Sequence, residues 1–193
     1  MISKHTLLSI DLFRDLNPKD WPISIADLPS GTALVGGSVR DGILNQLSRK
    51  PDLDFVIPIN AIGFCENISK KLNATFIKLD ENRDIARLVV NGWTLDFARQ
   101  VGETLADDLL RRDFRLNAIA LKLEENPEIF DPTGGLDDLK SKKIVAISEK
   151  NLIDDPLRIL RGFRFMCELN FDLEGKTKSF LKNNVDKLSN VAP

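Results

Sequence analysis

The stretch from Leu34 to Ile57, LVGGSVRDGILNQLSRKPDLDFVI, limits what this chain can fold into more than any other. A short apolar run, Thr32 to Val35, reads as a strand and meets Gly36-Gly37 with no spacer. Ser38 is placed to cap a helix whose apolar positions Val39, Ile43, Leu44 and Leu47 recur at helical spacing, and Arg49-Lys50-Pro51 ends it. Asp52-Leu53-Asp54-Phe55 then alternates as a strand does, which puts Asp52 and Asp54 on one face. Two carboxylates side by side are hard oxygen ligands suited to Mg²⁺. Metal held there can bridge a triphosphate and lower the pKa of an attacking hydroxyl. The Gly36-Gly37 turn adds backbone N–H groups that phosphate oxygens can approach closely.

The rest of the composition removes most competing chemistry. His5 is the only histidine, so a Ser-His-Asp triad, a Cys-His pair and an H-E-x-x-H metal helix are all excluded. Cys65 and Cys167 stand far apart with no C-x-x-C spacing, and both read as small buried hydrophobes. The formal charge is −2, so any nucleic-acid contact must come from local clusters of Arg and Lys. An apolar fraction of 42% and a charged fraction of 29% describe an ordinary globular chain, and no apolar run is long enough to span a membrane. The N-terminal stretch carries acids among its apolar residues, unlike a signal peptide, so the expected compartment is the cytoplasm with no membrane partner.

Along the chain, residues 1–30 read as a helical lead-in ending in turn chemistry at Trp21-Pro22 and Pro29-Ser30-Gly31. Ile59 to Leu72 has helical spacing and Ala74 to Leu79 reads as a strand. Arg87 to Val90 and Trp93 to Ala98 flank Asn91-Gly92 as a hairpin. Leu105 to Leu121 is expected to be helical, Ile129 to Pro132 and Ile144 to Ile147 to be short strands, and everything from Asp154 onward to be helical. The fold class is therefore α/β in the α+β sense, strands and helices interspersed and then the start of an all-α part. The boundary is expected between residues 146 and 147, and the remaining 147–193 segment would bury little alone, as if it opened a longer helical body.

Three further clusters carry chemistry. Arg111 and Arg112 are too many cations for a helix that packs, unless anions face them, and phosphate is the natural one. Asp113 and Asn117, four apart, would share a helix face and could hydrogen-bond a ribose or orient the arginines. Asp155 and Arg158, three apart, would offer an acceptor and a donor to the edge of cytosine or adenine, and the plain alternative is a surface ion pair. Arg161 and Arg164 extend the basic side of that helix. Asp96 is a candidate third carboxylate on a neighbouring strand, or simply an edge-strand acid paired with Arg99. Two rivals fail. D-L-D-F-V fits the haloacid-dehalogenase-like phosphatase signature, but there the apolar strand precedes the aspartates, whereas here it follows them. Gly175-Lys176-Thr177 ends like a P-loop, but Asn170 stands where that loop needs its first glycine.

Taken together, LVGGSVRDGILNQLSRKPDLDFVI resembles the first motif of the DNA-polymerase-β-like nucleotidyltransferases, with Val39-Arg40-Asp41 in the form of the class II tRNA nucleotidyltransferase and bacterial poly(A) polymerase family. Leu110 to Ala118 is similar to that family's R-R-D-F-T-x-N-A motif, Asp131 to Leu139 to its D-P-x-G-G-x-x-D-L link, and Asp154 to Arg161 to its E-D-P-x-R-x-L-R helix. The resemblance covers roughly residues 33–166 and implies a polymerase-β-like head over 1–146, with a mixed sheet and flanking helices, followed by the start of an all-α neck. It implies a template-independent, Mg²⁺-dependent enzyme that adds CMP or AMP from CTP or ATP to the 3′ end of RNA, foremost tRNA. Asp52 and Asp54 would hold metal and, with Asp96, carry catalysis. Gly36, Gly37 and Arg40 would place the triphosphate; Arg111, Arg112, Asp113 and Asn117 the sugar and phosphates; and Asp155, Arg158 and Arg161 the base end. A poly(A) polymerase, a split CC-adding or A-adding enzyme, and a non-catalytic RNA-binding module of the same fold are the alternatives. Arg115 replaces the motif's Thr, Asp154 replaces its Glu, and the segment from Leu79 to Asp96 lacks the longer loop of enzymes that switch from C to A addition.

Overall fold

A computed structural model describes residues 4–190 of the chain. By compactness the chain divides into two units, residues 1–105 with 120–130, and residues 106–119 with 131–193. This cuts the sequence differently from a single boundary at 146, because the chain leaves the first unit and returns to it for two strands.

The first unit is built on a seven-stranded mixed sheet. Its strands are β1 (Ala33–Val35), β2 (Leu53–Ile57), β3 (Thr75–Asp80), β4 (Ile85–Val90), β5 (Trp93–Arg99), β6 (Ala120–Lys122) and β7 (Glu128–Phe130), in the order β3-β4-β5-β2-β1-β6-β7. β2 and β5 run parallel while the other neighbouring pairs are antiparallel. The helices are α1 (Lys4–Leu16), α2 (Gly37–Ile43) and α3 (Ala61–Leu72). The Asn91-Gly92 hairpin forms as expected, with both residues at positive φ, 51° and 75°, the geometry a two-residue turn with the right twist requires.

Alternation in β2 and β5 sends Leu53, Phe55, Leu95 and Phe97 into the core. Phe55 and Phe97 stack at 4.8 Å, Trp21 meets Phe55 edge-on at 5.7 Å, and Phe64 from α3 meets Phe97 at 5.3 Å. Such ring pairs add about 0.5–1.5 kcal/mol each beyond their buried area. Cys65 on α3 is buried, and desolvation pushes its thiol up to about 12, which leaves it an inert packing group. Cys167, expected to be buried as well, is exposed.

The second unit contains α4 (Leu105–Leu110), whose last five residues belong to it, α5 (Gly135–Ser141), α6 (Glu149–Asp154), α7 (Leu157–Leu169), α8 (Gly175–Asn183) and a two-stranded parallel ribbon of β8 (Lys143–Ile144) with β9 (Asp172–Leu173). Two expectations are corrected here. The helix predicted over Leu105 to Leu121 stops at Leu110: Phe114 is extended (φ −123°, ψ 146°) and bridges Ala146, with Arg115 N–H donating to the Val145 carbonyl and Ile147 N–H to that of Asp113. Helical spacing of apolar residues across 105–121 therefore reflects a short helix, a single 3-10 turn at Arg115–Asn117 and strand β6, all with buried positions. Helix also begins earlier than Asp154, at Glu149, capped by Ser148, and β9 interrupts the part expected to be wholly helical.

Candidate active site

In the first unit the glycine turn and the aspartates are joined by backbone register. Val35 lies opposite Asp54, Asp54 opposite Asp96, and Asp96 opposite Arg87, so one row crosses four strands, and Asp54, Asp96 and Arg87 share a face. Asp54 is half-buried on β2; Asp52 is exposed and stands just before the strand, two positions away on the same side.

Gly36 is required twice over. Its φ is +74°, and a Cβ there would lie 2.9 Å from Oδ2 of Asp54. Glycine therefore lets the turn into α2 close against the carboxylate. The turn also corrects the role given to Ser38. Gly36 is the N-cap and makes no side-chain cap bond, while Ser38 sits inside the helix with a buried hydroxyl that has no hydrogen-bond partner among the described residues. Arg40, also buried, donates Nε to Asp41 at 2.7 Å.

Asp96 is next to Asp54 but engaged. Arg87 holds it bidentately, Nε to Oδ1 at 2.7 Å and Nη2 to Oδ2 at 2.8 Å; Arg87, and not Arg99, is its partner. That hydrogen bond is the main cause of the upward shift of the Arg87 guanidinium, with Asp52 and Asp54 adding weaker attraction. Among the described residues no group of three or more His, Cys, Asp or Glu is gathered to hold a metal ion. Two carboxylates completed by phosphate oxygens and water are nevertheless the usual donor set for Mg²⁺, and Asp52 with Asp54 fits it.

In the second unit the arginine pair is organised by a residue that motif reading passed over. Asp108 is fully buried; its Oδ1 takes Nη2 of Arg111 at 3.2 Å and its Oδ2 takes Nη2 of Arg112 at 2.9 Å. The signal was present in sequence as an acid three and four positions before two arginines. Asp113 and Asn117 do not share a helix, which corrects that reading, since the chain is already non-helical there. Both are buried: Asp113 accepts from Phe114 N–H at 2.8 Å and from Nε of Arg161 at 2.6 Å.

Asp155 and Arg158 also fail to share a helix. Asp155 is extended (φ −144°) between α6 and α7, forced out of helix by the following Pro156. They still approach, Nε to Oδ2 at 3.8 Å, while Nη1 of Arg158 donates to the carbonyls of Arg111 (3.0 Å) and Asn151 (2.9 Å). Burial lowers the Arg158 pKa, and the nearby Asp113 and Asp155 oppose that shift. Asn151, not singled out by sequence, donates Nδ2 to the carbonyls of Leu110 and Arg112 at 2.8 and 2.7 Å, tying the end of α4 to α6. Arg111 and Arg112 are thus tied through Asp108 and Asn151 to Arg158, which pairs loosely with Asp155, while Asp113 and Arg161 form a separate pair.

Residues 32–145 match the family described as Poly A polymerase head domain. The chain is 40% identical over 171 residues to a CC-adding tRNA nucleotidyltransferase of Synechocystis, covering 89% of this chain and 41% of that protein. It is 39% identical over 154 residues to an A-adding tRNA nucleotidyltransferase of Deinococcus radiodurans, covering 80% of this chain and 34% of the relative. A solved Thermotoga maritima CCA-adding enzyme complexed with tRNA superposes with a TM-score of 0.71 at 32% identity, over 95% of this chain and 41% of that one. The chain thus spans about two fifths or less of the length of these relatives.

Proposed function

The chain belongs to the Poly A polymerase head domain family, and we propose from that premise that it is the nucleotidyl-transferring part of an enzyme that extends the 3′ end of tRNA with CMP, AMP or both. The observation that carries this reading is the closure of Gly36 onto Asp54 within the row Val35-Asp54-Asp96-Arg87, which puts a glycine turn at a helix start beside the carboxylates. We take residues 1–146 as the head in the functional sense and 147–193 as the opening of the helical neck.

In this proposal Asp52 and Asp54 hold Mg²⁺, which when bound supplies charge to a triphosphate and acidity to the attacking 3′ hydroxyl. Asp54 is oriented by the turn pressed against it. The backbone of Gly36 and Gly37 takes phosphate oxygens, and the partnerless Ser38 hydroxyl is available to one of them. Arg40, with Nε turned to Asp41, adds positive charge to that end. Asp96 supports Asp54 from the next strand, its own charge met by Arg87.

Arg111 and Arg112, held by Asp108, bind the triphosphate, while Asp113 and Asn117 take the ribose. Asp155 and Arg158 present acceptor and donor to the base, with Arg161 completing the basic side. Arg158 is built for that task, since its carbonyl contacts fix the guanidinium and leave its remaining donors directed. The connection from β3 to β4 is only Glu81 to Asp84, with Arg83 N–H closed onto Asp80. So short a link favours addition of one kind of base over a C-to-A switch, and the names of the Synechocystis and Deinococcus relatives fit tRNA better than poly(A) synthesis. The proposed compartment is the cytoplasm; no described helix is long and apolar enough to cross a membrane. Incubating the protein with Mg²⁺, tRNA lacking its CCA end and each labelled nucleotide tests this: incorporation of C, of A or of both is expected, and none overturns the reading.

A further inference from the structure

Within the second unit a cavity of about 610 Å³ is lined by Arg115, Asp138, Lys143, Lys176, Thr177 and Phe180, among others, none of which belongs to the proposed transfer site. Three acids line it, Asp138, Glu149 and Glu174, and two of them are committed. Glu174 caps α8, accepting from the N–H groups of Lys176 and Thr177 at 2.9 and 2.8 Å, bonds that lower its pKa. Glu149 accepts from Nδ2 of Asn184 at 2.8 Å.

Asp138 is different. It is 8% exposed, and its Oδ2 has no hydrogen-bond partner among the described residues. Arg115 lines the same cavity and attracts its charge, and its guanidinium makes no hydrogen bond or ion pair among the described residues. Evolution rarely leaves a buried carboxylate oxygen and a neighbouring guanidinium both without bonds unless something else completes them.

The remaining lining restricts what that something is. A carboxylate beside a guanidinium offers one acceptor and a fork of donors in a plane, the pattern that reads the edge of a nucleobase. Phe180 supplies an aromatic face, over which Nζ of Lys176 now stands at 5.7 Å. Rings of this kind stack bases of any identity. Lys176, and Lys143 from its exposed pair with Asp172 at 3.1 Å, bring positive charge to the same cavity, the complement of a phosphate. The volume lies within the range of small-molecule sites, roughly 300–1,000 Å³, and suits one nucleotide.

We propose that this cavity is a second nucleotide pocket, in which Asp138 and Arg115 take the base edge, Phe180 the base face, and Lys143 and Lys176 the phosphate. The nucleotide is either free or part of an RNA strand, and the chemistry of the pocket is the same for both. The proposal does not depend on the transfer reaction, because it rests on residues outside that site.

Amide NMR of the full chain without Mg²⁺ tests it, using the resonances of Ala146, Lys176 and Thr177, whose N–H groups lie at the cavity wall. AMP and CMP are titrated in one arm, the dinucleotide CpC in a second and inorganic phosphate in a third. Saturable shifts at these amides with a nucleotide are expected, and Asp138→Ala weakens binding at least tenfold while Arg115→Thr, which keeps Asp138 in place, weakens it about as much. Response to CpC but not to AMP or CMP assigns the pocket to an RNA nucleotide, and the reverse assigns it to a free one. No shift with any nucleotide, an equal shift with phosphate alone, or unchanged affinity in a folded Arg115→Thr protein overturns the proposal.

Discussion

Asp108 offers the most quantitative check on how the arginine cluster is built. Its carboxylate is fully buried, with Arg111 and Arg112 hydrogen-bonded to opposite oxygens. The two arms are unequal. Arg111 is 43% exposed and its contacts are 3.2 and 3.3 Å, whereas Arg112 is 23% exposed with its best contact at 2.9 Å. Solvent screening holds a half-exposed pair to about 0.5 kcal/mol, and a better-shielded charge-assisted bond contributes about 1.5 kcal/mol. Asp108→Ala should therefore cost about 2 kcal/mol, a fall in Tm of roughly 4–8 °C for a chain of this size. Urea unfolding of single and double variants gives the coupling directly. The coupling of Asp108 with Arg112 should be about 1.5 kcal/mol and exceed that with Arg111, about 0.5 kcal/mol. Additive behaviour in both cycles, or a larger coupling to Arg111, would refute the reasoning. CTP and ATP affinity should also fall in Asp108→Ala, because both guanidiniums lose their orienting partner.

Gly36→Ala forces a Cβ into a left-handed turn and against Asp54, so it should cost about 1–2 kcal/mol and reduce nucleotide incorporation by more than that loss of folded protein explains, read by activity per folded molecule. Asp96→Asn should slow transfer by about tenfold while Asp54→Asn slows it by roughly a thousandfold or more, since Arg87 already neutralises Asp96; equal losses in single-turnover assays would give Asp96 a direct part in the chemistry. Burial raises the Asp138 carboxyl from 3.8 to about 6, against Arg115 and with help from Asp131, Asp137 and Glu174. Its protonated form is favoured by folding, so its contribution is complete below pH 3.8 and is lost as pH rises through about 6. Asp138→Asn should therefore gain up to about 3 kcal/mol on the natural protein between acidic and neutral pH, measured by urea unfolding, and a pH-independent difference would contradict this.

How much was legible in sequence follows from what kind of signal each feature left. The glycine turn, the Asp52-x-Asp54 alternation and the Asn91-Gly92 hairpin are local backbone statements, and the structure contains all three. The mixed sheet with flanking helices came with the family resemblance, since local patterns do not set strand direction. Helical periodicity misled over 105–121, because a buried 3-10 turn and a buried strand place apolar residues at spacings that a helix also uses. Ser38 looked like a cap because capping residues are recognised by type, yet positive φ at Gly36 starts the helix two residues earlier. Partners chosen across the fold were invisible: Arg87 for Asp96, Arg161 for Asp113 and Asn151 for two carbonyls are 9 to 48 residues away in sequence. Arg158 was singled out for its charge, but its position is set by backbone carbonyls that carry no sequence signature.

The central claim is that Asp52 and Asp54 drive nucleotidyl transfer. The most direct measurement replaces each with Ala, confirms an unchanged fold by circular dichroism, and follows incorporation of labelled CTP and ATP into tRNA lacking its 3′ terminal nucleotides in the presence of Mg²⁺. Incorporation by the natural chain and its loss in both variants is the predicted result. Retained incorporation in either folded variant would contradict the account.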